Sequence, residues 1–187
     1  MKHIAIFASG NGSNAQAIIN YFTNHPSIKV GLVITNNPTA GVIQVAHQNK
    51  IISAIVSKKA LNDEQQMMAL LNAQNISFIA LAGFLQMVPP FLLKKFPKAV
   101  VNIHPAMLPK HGGKGMYGIK VHEAVVAAAD TETGITIHYV NEHYDEGEVI
   151  LQKPVPVSPA DTPEQLAAKV LDLEHQWYPK TIEALLS

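Results

Sequence analysis

The 187-residue chain contains no cysteine and no arginine. Without cysteine there are no disulfides and no thiolate metal sites, and a cytoplasmic location is expected. Without arginine there is no guanidinium fork to clamp a phosphate or a carboxylate. Any such anion must be held by backbone N–H groups, by lysine or by neutral polar groups. Neither sign of charge is in excess, since 14 lysines balance 14 acidic residues. Bulk electrostatics therefore offers no nucleic-acid partner. The apolar runs break well before membrane-spanning length, so no membrane segment is expected. The opening "MKHIAIFASGNG" reads as a first strand and turn rather than a cleaved leader. What the chain has in quantity is apolar side chains, 48% of the total, which suits one domain with a substantial core.

Hydrophobic patterning alternates along the chain. Strand-like runs cover 3–8, 29–35, 51–56, 77–83, 99–104, 133–140 and 148–157. Helical spacing covers 13–23, 40–49, 62–73, a short piece after Pro89, 119–129 and 161–185. Asn62 or Asp63 is a cap candidate for the third helix, and Asp161 or Thr162, followed by Pro163, for the last. Strands that alternate with helices predict an α/β fold, a doubly wound, mostly parallel Rossmann-like sheet of about seven strands with helices on both faces. Residues 1–187 are expected to form this single domain, with the last two strands as an antiparallel or edge pair. Ligands of such sheets bind beyond the carboxyl ends of the strands.

Four stretches at those ends carry chemistry. In "ASGNGSNAQ", Gly10 and Gly12 follow the first strand and a helix begins near Ser13. Such a turn aims free N–H groups at one point and so cradles an anion, or it is a tight turn and nothing more. The spacing Gly10–Gly12–Ala15 also fits a dinucleotide fingerprint, which wants an acidic residue at the end of the second strand. That end reads Thr35, Asn36, Asn37, which favours a single phosphate over a dinucleotide. In "LAGFLQMVPP", the apolar residues after Gly83 are either core or one wall of a flat apolar pocket. In "AVVNIHPAMLPK", Asn102 and His104 stand two apart on one strand and so share a face. They are either polar groups satisfied at a strand terminus or donors that stabilise an oxyanion. In "HYVNEHYDEGEVILQ", Asp145 lies on a loop between two strands. It is either an exposed acidic turn or a carboxylate that reaches His104 and raises its pKa. His138, His143 and Asp145 can also be read as metal ligands, but their spacing matches no standard set and no metal is expected.

Taken in order from residue 5 to residue 179, "SGNGSN", "LAGF", "VNIHPAMLPK", "GITIHYVNEHYDEGEVILQ" and "LEHQWYP" resemble the glycinamide ribonucleotide formyltransferase family. The Asn-x-His-Pro with a later Asp-x-Gly is shared by formyltransferases in general, and "SGNGSN" points to the glycinamide ribonucleotide branch. The resemblance implies transfer of a formyl group from 10-formyltetrahydrofolate, a co-substrate, to the amine of glycinamide ribonucleotide in purine biosynthesis. It places Asn102, His104 and Asp145 on the catalytic positions. Gly12, Ser13, Asn14 and Glu174 fall on the ribonucleotide site. Leu85, Gln86, Met87 and Val88 fall on one side of the folate, and Glu142, His143 and Tyr144 on the other. Only these small molecules are implied as partners, with the chain a monomer or weak homodimer.

The chain departs from the family beside the folate. Gln86 stands where family members often carry arginine, and "KKALNDEQQ" offers Lys58 and Lys59 but again no arginine. Lys110 and Lys114, in a segment that varies within the family, are candidate anion contacts. Four rival readings remain. Formyl-folate hydrolases share the catalytic core but usually carry an added N-terminal regulatory domain, whereas this chain opens on its first strand. A methionyl-tRNA formyltransferase would add a C-terminal domain and a surface for RNA. The other two rivals are a nucleotide oxidoreductase and a catalytically silent folate- or phosphate-binding module.

Overall fold

The computed structural model describes residues 1–187. Seven strands form one sheet in the order β3-β2-β1-β4-β5-β6-β7. The strands are β1 (Lys2–Phe7), β2 (Ile28–Thr35), β3 (Ile52–Ile55), β4 (Ile76–Leu81), β5 (Val100–His104), β6 (Glu132–Tyr139) and β7 (Val149–Pro156). The first five are parallel, while β6 runs antiparallel to β5 and β7 antiparallel to β6. This is the doubly wound α/β sheet that the patterning predicts.

Strand alternation builds the two layers on the faces of the sheet. Ile4 and Ile6 enter a core with Ala15, Ile18 and Phe22 of α1 (Ser13–Phe22) and Val170, Tyr178 and Ile182 of α7 (Pro163–Leu186). Ala5 and Phe7 enter the opposite core with Met67, Leu71 and Leu92. Those side chains come from α4 (Glu64–Ala73) and α5 (Pro90–Lys95). The remaining helices are α2 (Val42–Gln48), the short α3 (Lys58–Leu61) and α6 (Ile119–Ala127).

The caps explain most of the boundaries. Asp63 accepts from the Gln66 N–H and starts α4, as its side-chain chemistry dictates. Thr162 and Gln165 form a reciprocal capping box at the start of α7, with Pro163 in the first turn. Ser57 caps α3, a one-turn helix that the hydrophobic spacing did not register.

Chain order reverses at β1, which lies between β2 and β4, and a crevice opens there beyond the strand ends. Tyr178 is fully buried and donates its hydroxyl to the carbonyls of Leu81 and Val101, at 2.8 and 3.2 Å. It thereby seats α7 on β4 and β5, and places Glu174, one turn earlier, under the β1–α1 turn. No helix is long and apolar enough to cross a membrane.

Candidate active site

A cleft of about 830 Å³ lies along the carboxyl ends of β1, β4 and β5. Its first part is the β1–α1 turn, Gly10 to Asn14. Gly12 caps α1 with φ 85°, a left-handed conformation that disfavours other residues. A Cβ at that position would lie 2.8 Å from the Val42 Cα. No side chain caps the helix and its first turn holds no acidic residue, so free N–H groups at the positive end of α1 face the cleft. Asn14 donates at 2.8 Å to the Glu174 carboxylate. Burial pushes the Glu174 pKa up to about 7, against the lowering effect of that hydrogen bond. The end of β2 is occupied by structural contacts instead of a ribose-binding acid. Ser9 donates to the Asn36 side chain and Asn37 donates to the Ser9 carbonyl.

The second part follows β4. Ser9 Oγ accepts from the Leu85 N–H at 2.9 Å and holds the chain after Gly83 against the end of β1. Leu85 and Met87 are exposed at 46% and 44%, whereas Val88 is buried in the core beneath them. Five of the ten exposed large apolar side chains (Leu85, Met87, Tyr117, Ile119 and Tyr144) line this one cleft. Clustered apolar exposure marks a binding wall rather than ordinary surface. Gln86, His143 and Tyr144 also line it. Glu142 does not: it is exposed and absent from the lining, whereas Asn141 beside it lines the cleft. Lys114 is the sole lysine along the cleft. Lys110 lies outside it, paired with Asp130 at 3.0 Å.

Between these parts, three elements bring side chains to one point. Antiparallel pairing sets Asn102 of β5 opposite His138 of β6, and His104 opposite Thr136. Asp145 enters from the β6–β7 loop with φ 57°, a conformation that Asp and Asn tolerate better than most residues. Two residues on, a Cβ at Gly147 would sit 1.6 Å from the Tyr139 carbonyl oxygen, so only glycine lets the loop turn back this tightly. The Asp145 Oδ2 then stands 3.5 Å from His104 Nδ1 and accepts the Gly113 N–H at 2.9 Å.

The hydrogen bonds assign the protons. His104 Nε2 lies 2.8 Å from the His111 carbonyl, which only accepts, so Nε2 carries a hydrogen. Likewise His138 Nδ1 donates to the Tyr139 carbonyl at 2.9 Å, which leaves Nε2 to accept from the Asn102 amide at 3.1 Å. The second amide hydrogen of Asn102 faces Asp145 Oδ1 across a longer 3.4 Å. His104 Nδ1, too far from Asp145 for a well-formed hydrogen bond, is the ring nitrogen open to the cleft.

Electrostatics corrects one expectation. Burial pushes the His104 pKa below the ordinary imidazole value and outweighs the raising effects of Asp145 and the His111 carbonyl. Burial also pushes the Asp145 carboxyl up, but His138, His104 and the Gly113 N–H together hold it below the ordinary value. At neutral pH the resting pair is a carboxylate beside a neutral imidazole, not an imidazolium. A ring that is 3% exposed loses more solvation than one carboxylate at 3.5 Å restores.

Two further histidines belong to this site. His138 is 2% exposed and orients Asn102. His122, on α6, is 5% exposed, lines the cleft and has an Nδ1 without a partner. Period-2 patterning in "GITIHYV" puts His138 with Thr136 on the face opposite Ile135 and Ile137, and only the β5–β6 register brings it to Asn102. No group of three or more His, Cys, Asp or Glu side chains is arranged to hold a metal ion.

A strand-end amide and imidazole, a carboxylate on a folded-back loop and a glycine turn at a helix start define a class of site suited to moving a carbonyl group between two bound molecules. The chain belongs to the formyl transferase family, which it matches over residues 2–182. The relatives it resembles carry the name phosphoribosylglycinamide formyltransferase. The chloroplastic phosphoribosylglycinamide formyltransferase of Vigna unguiculata is 40% identical over 98% of this chain and 61% of its own length, so the chain spans about three-fifths of that relative. The Bacillus subtilis phosphoribosylglycinamide formyltransferase is 35% identical over 100% of this chain and 95% of its own. The crystal structure of the Bacillus halodurans phosphoribosylglycinamide formyltransferase superposes with TM-score 0.88 at 36% identity, covering 100% of this chain and 96% of that one.

Proposed function

We propose that the cleft transfers a formyl group from 10-formyltetrahydrofolate to the amine of N1-(5-phospho-D-ribosyl)glycinamide, a step of purine biosynthesis. The observation that carries this reading is the position of His104, Asn102 and Asp145 at the junction of an anion cradle and an apolar wall. The ribonucleotide phosphate sits on the N–H groups of Gly12, Ser13 and Asn14, which need no arginine. Glu174 receives the ribose hydroxyls. The folate ring lies against Leu85, Gln86 and Met87, backed by buried Val88, with His143 and Tyr144 opposite.

Holding both molecules in one cleft removes much of the entropic barrier to their reaction. An amine that arrives as ammonium must first lose a proton. The neutral His104 Nδ1, beside the Asp145 carboxylate, is poised to take it. The amine nitrogen then attacks the formyl carbon. The imidazolium formed at His104, together with the Asn102 amide as it exchanges its 3.4 Å contact with Asp145 for the substrate, stabilises the oxyanion. Collapse breaks the bond from the formyl carbon to the folate N10, which receives the His104 proton. The attacking nitrogen then gives its second proton to the freed imidazole and on to solvent, leaving a neutral amide. The burial that keeps His104 neutral at rest thus makes it a base first and an acid second.

The protein is read as one domain over residues 1–187, working in the cytoplasm on small molecules as a monomer or weak homodimer. One assay decides the activity: release of tetrahydrofolate with and without the ribonucleotide. Release that depends on the ribonucleotide supports transfer. Release to water alone replaces this reading with a hydrolase, and absence of release leaves a binding module.

A further inference from the structure

We infer that Asp130, which lies outside the cleft, is a positioning residue for His104 and acts through the backbone of His111. The inference deepens the formyl-transfer reading and rests on it for its kinetic readout alone. The path is short. Asp130 follows α6 and precedes β6. Its Oδ2 lies 2.7 Å from His111 Nε2, and its Oδ1 accepts from Lys110 at 3.0 Å. One carboxylate thus grips two successive side chains of the loop after β5.

That grip decides where a carbonyl points. His111 has φ 54°, a left-handed conformation that histidine adopts more readily than most non-glycine residues but that still costs energy unless its contacts hold it. In that conformation its carbonyl meets the His104 Nε2–H at 2.8 Å. Two residues on, the Gly113 N–H meets Asp145 Oδ2 at 2.9 Å. The space between is closed, because a Cβ at Gly112 would lie 2.5 Å from Leu108 Cδ2 and 3.3 Å from the Asp145 Cβ. The segment packs closely there, and the side-chain anchor at Asp130 holds its first residue in place. With Nε2–H pinned to the carbonyl, the nitrogen left to gain and lose a proton is Nδ1, which faces Asp145. Without the anchor, His111 is free to leave the left-handed region, and His104 loses the acceptor that selects its tautomer.

The experiment uses the full chain, labelled with ¹⁵N at histidine, as wild type, D130N, D130E and H111F. In wild type the His104 ring nitrogens should report the Nε2–H tautomer. In D130N and H111F they should report a mixture of tautomers, and D130E should restore the wild-type pattern. Turnover should fall roughly tenfold or more in D130N and H111F, with the KM of each substrate within about twofold. The groups that face His104 are Asp145, His138, His111 and His122. Losing the carbonyl acceptor removes a contact that favours the charged ring, so the acid limb of the turnover profile should move to lower pH in both variants. H111F keeps the Asp130 charge and so separates tautomer from long-range charge. It carries the same test should D130N fail to fold. Wild-type ring shifts in D130N and H111F overturn the inference. A wild-type chain that transfers no formyl group overturns the formyl-transfer reading instead, and the ring shifts still decide the role of Asp130.

Discussion

Two ends of one cleft are built in opposite ways. The β1–α1 turn is a run of neighbours, Gly10 to Asn14, and what it offers is backbone: N–H groups at a helix start, with Gly12 held against Val42. The proton-handling cluster has no such contiguity. Asn102 and His104 come from β5, His138 from β6, Asp145 from the following loop, and the acceptor for His104 from His111. The turn works by backbone conformation, fixed at Gly12. The cluster works by side-chain chemistry, and each member is tied to another by a hydrogen bond or a contact of 3.6 Å or less.

The contrast can be broken most sharply at the cluster. His104→Ala and Asp145→Asn should each lower turnover by roughly a hundred- to a thousandfold while leaving ribonucleotide affinity in place. Steady-state rates with calorimetric titration of the ribonucleotide check this, and near-native turnover in either variant removes that residue from the mechanism.

Next in size is Glu174, the one buried acid at the turn. Below pH 4.5 its carboxyl is protonated in both folded and unfolded chains, so nothing is lost. Between 4.5 and about 7 the unfolded chain releases a proton that the folded chain keeps, so stability falls as pH rises, and above about 7 the loss is complete. Glu174→Gln should therefore gain up to about 3 kcal/mol over wild type above neutrality and little in acid. Melting temperatures across pH 4 to 9 read the difference; a gap independent of pH would mean that the carboxyl does not titrate as burial demands.

A smaller loss of about 1–3 kcal/mol is expected for Gly12→Ala, which forces a Cβ into the left-handed region and onto Val42. Gly10→Ala meets nothing within 4 Å and should stay within about 0.5 kcal/mol of wild type. Denaturant titration separates the two, and equal stabilities would show that the turn is not held by conformation. The smallest effect belongs to the apolar wall. Leu85→Ala or Met87→Ala should raise the KM for the folate roughly three- to tenfold and leave turnover unchanged, as lost uniform binding does. A fall in turnover with constant KM would place those side chains in the chemistry instead.

Most of the architecture was legible because it rests on local rules. Strand alternation divided Ile4 and Ile6 from Ala5 and Phe7, and the caps at Asp63 and Thr162 began helices where their side chains dictate. The same rule placed Asn102 and His104 on one face. The loop between two strands offered Asp145 as an exposed turn or a partner of His104, and the family resemblance chose between them. Four things escaped. One-turn α3 is too short to show a period. Glu142 is not among the cleft-lining residues, because being near the cleft in sequence does not set which residues of a loop face it. The contact between His138 and Asn102 depends on the β5–β6 register. The charge state of His104 depends on burial, which no neighbouring residue announces.

The amino-acid order by itself determined the layers, the glycine turn and the strand-end pair, since each follows from periodicity, backbone freedom or capping within a few residues. Tertiary structure alone decided which nitrogen of His104 holds the proton, whether that ring is charged, and which carboxylate steadies it. Those properties weigh hydration stripped from a side chain against the attraction of its new neighbours, and both are set by groups that meet only when distant segments pack.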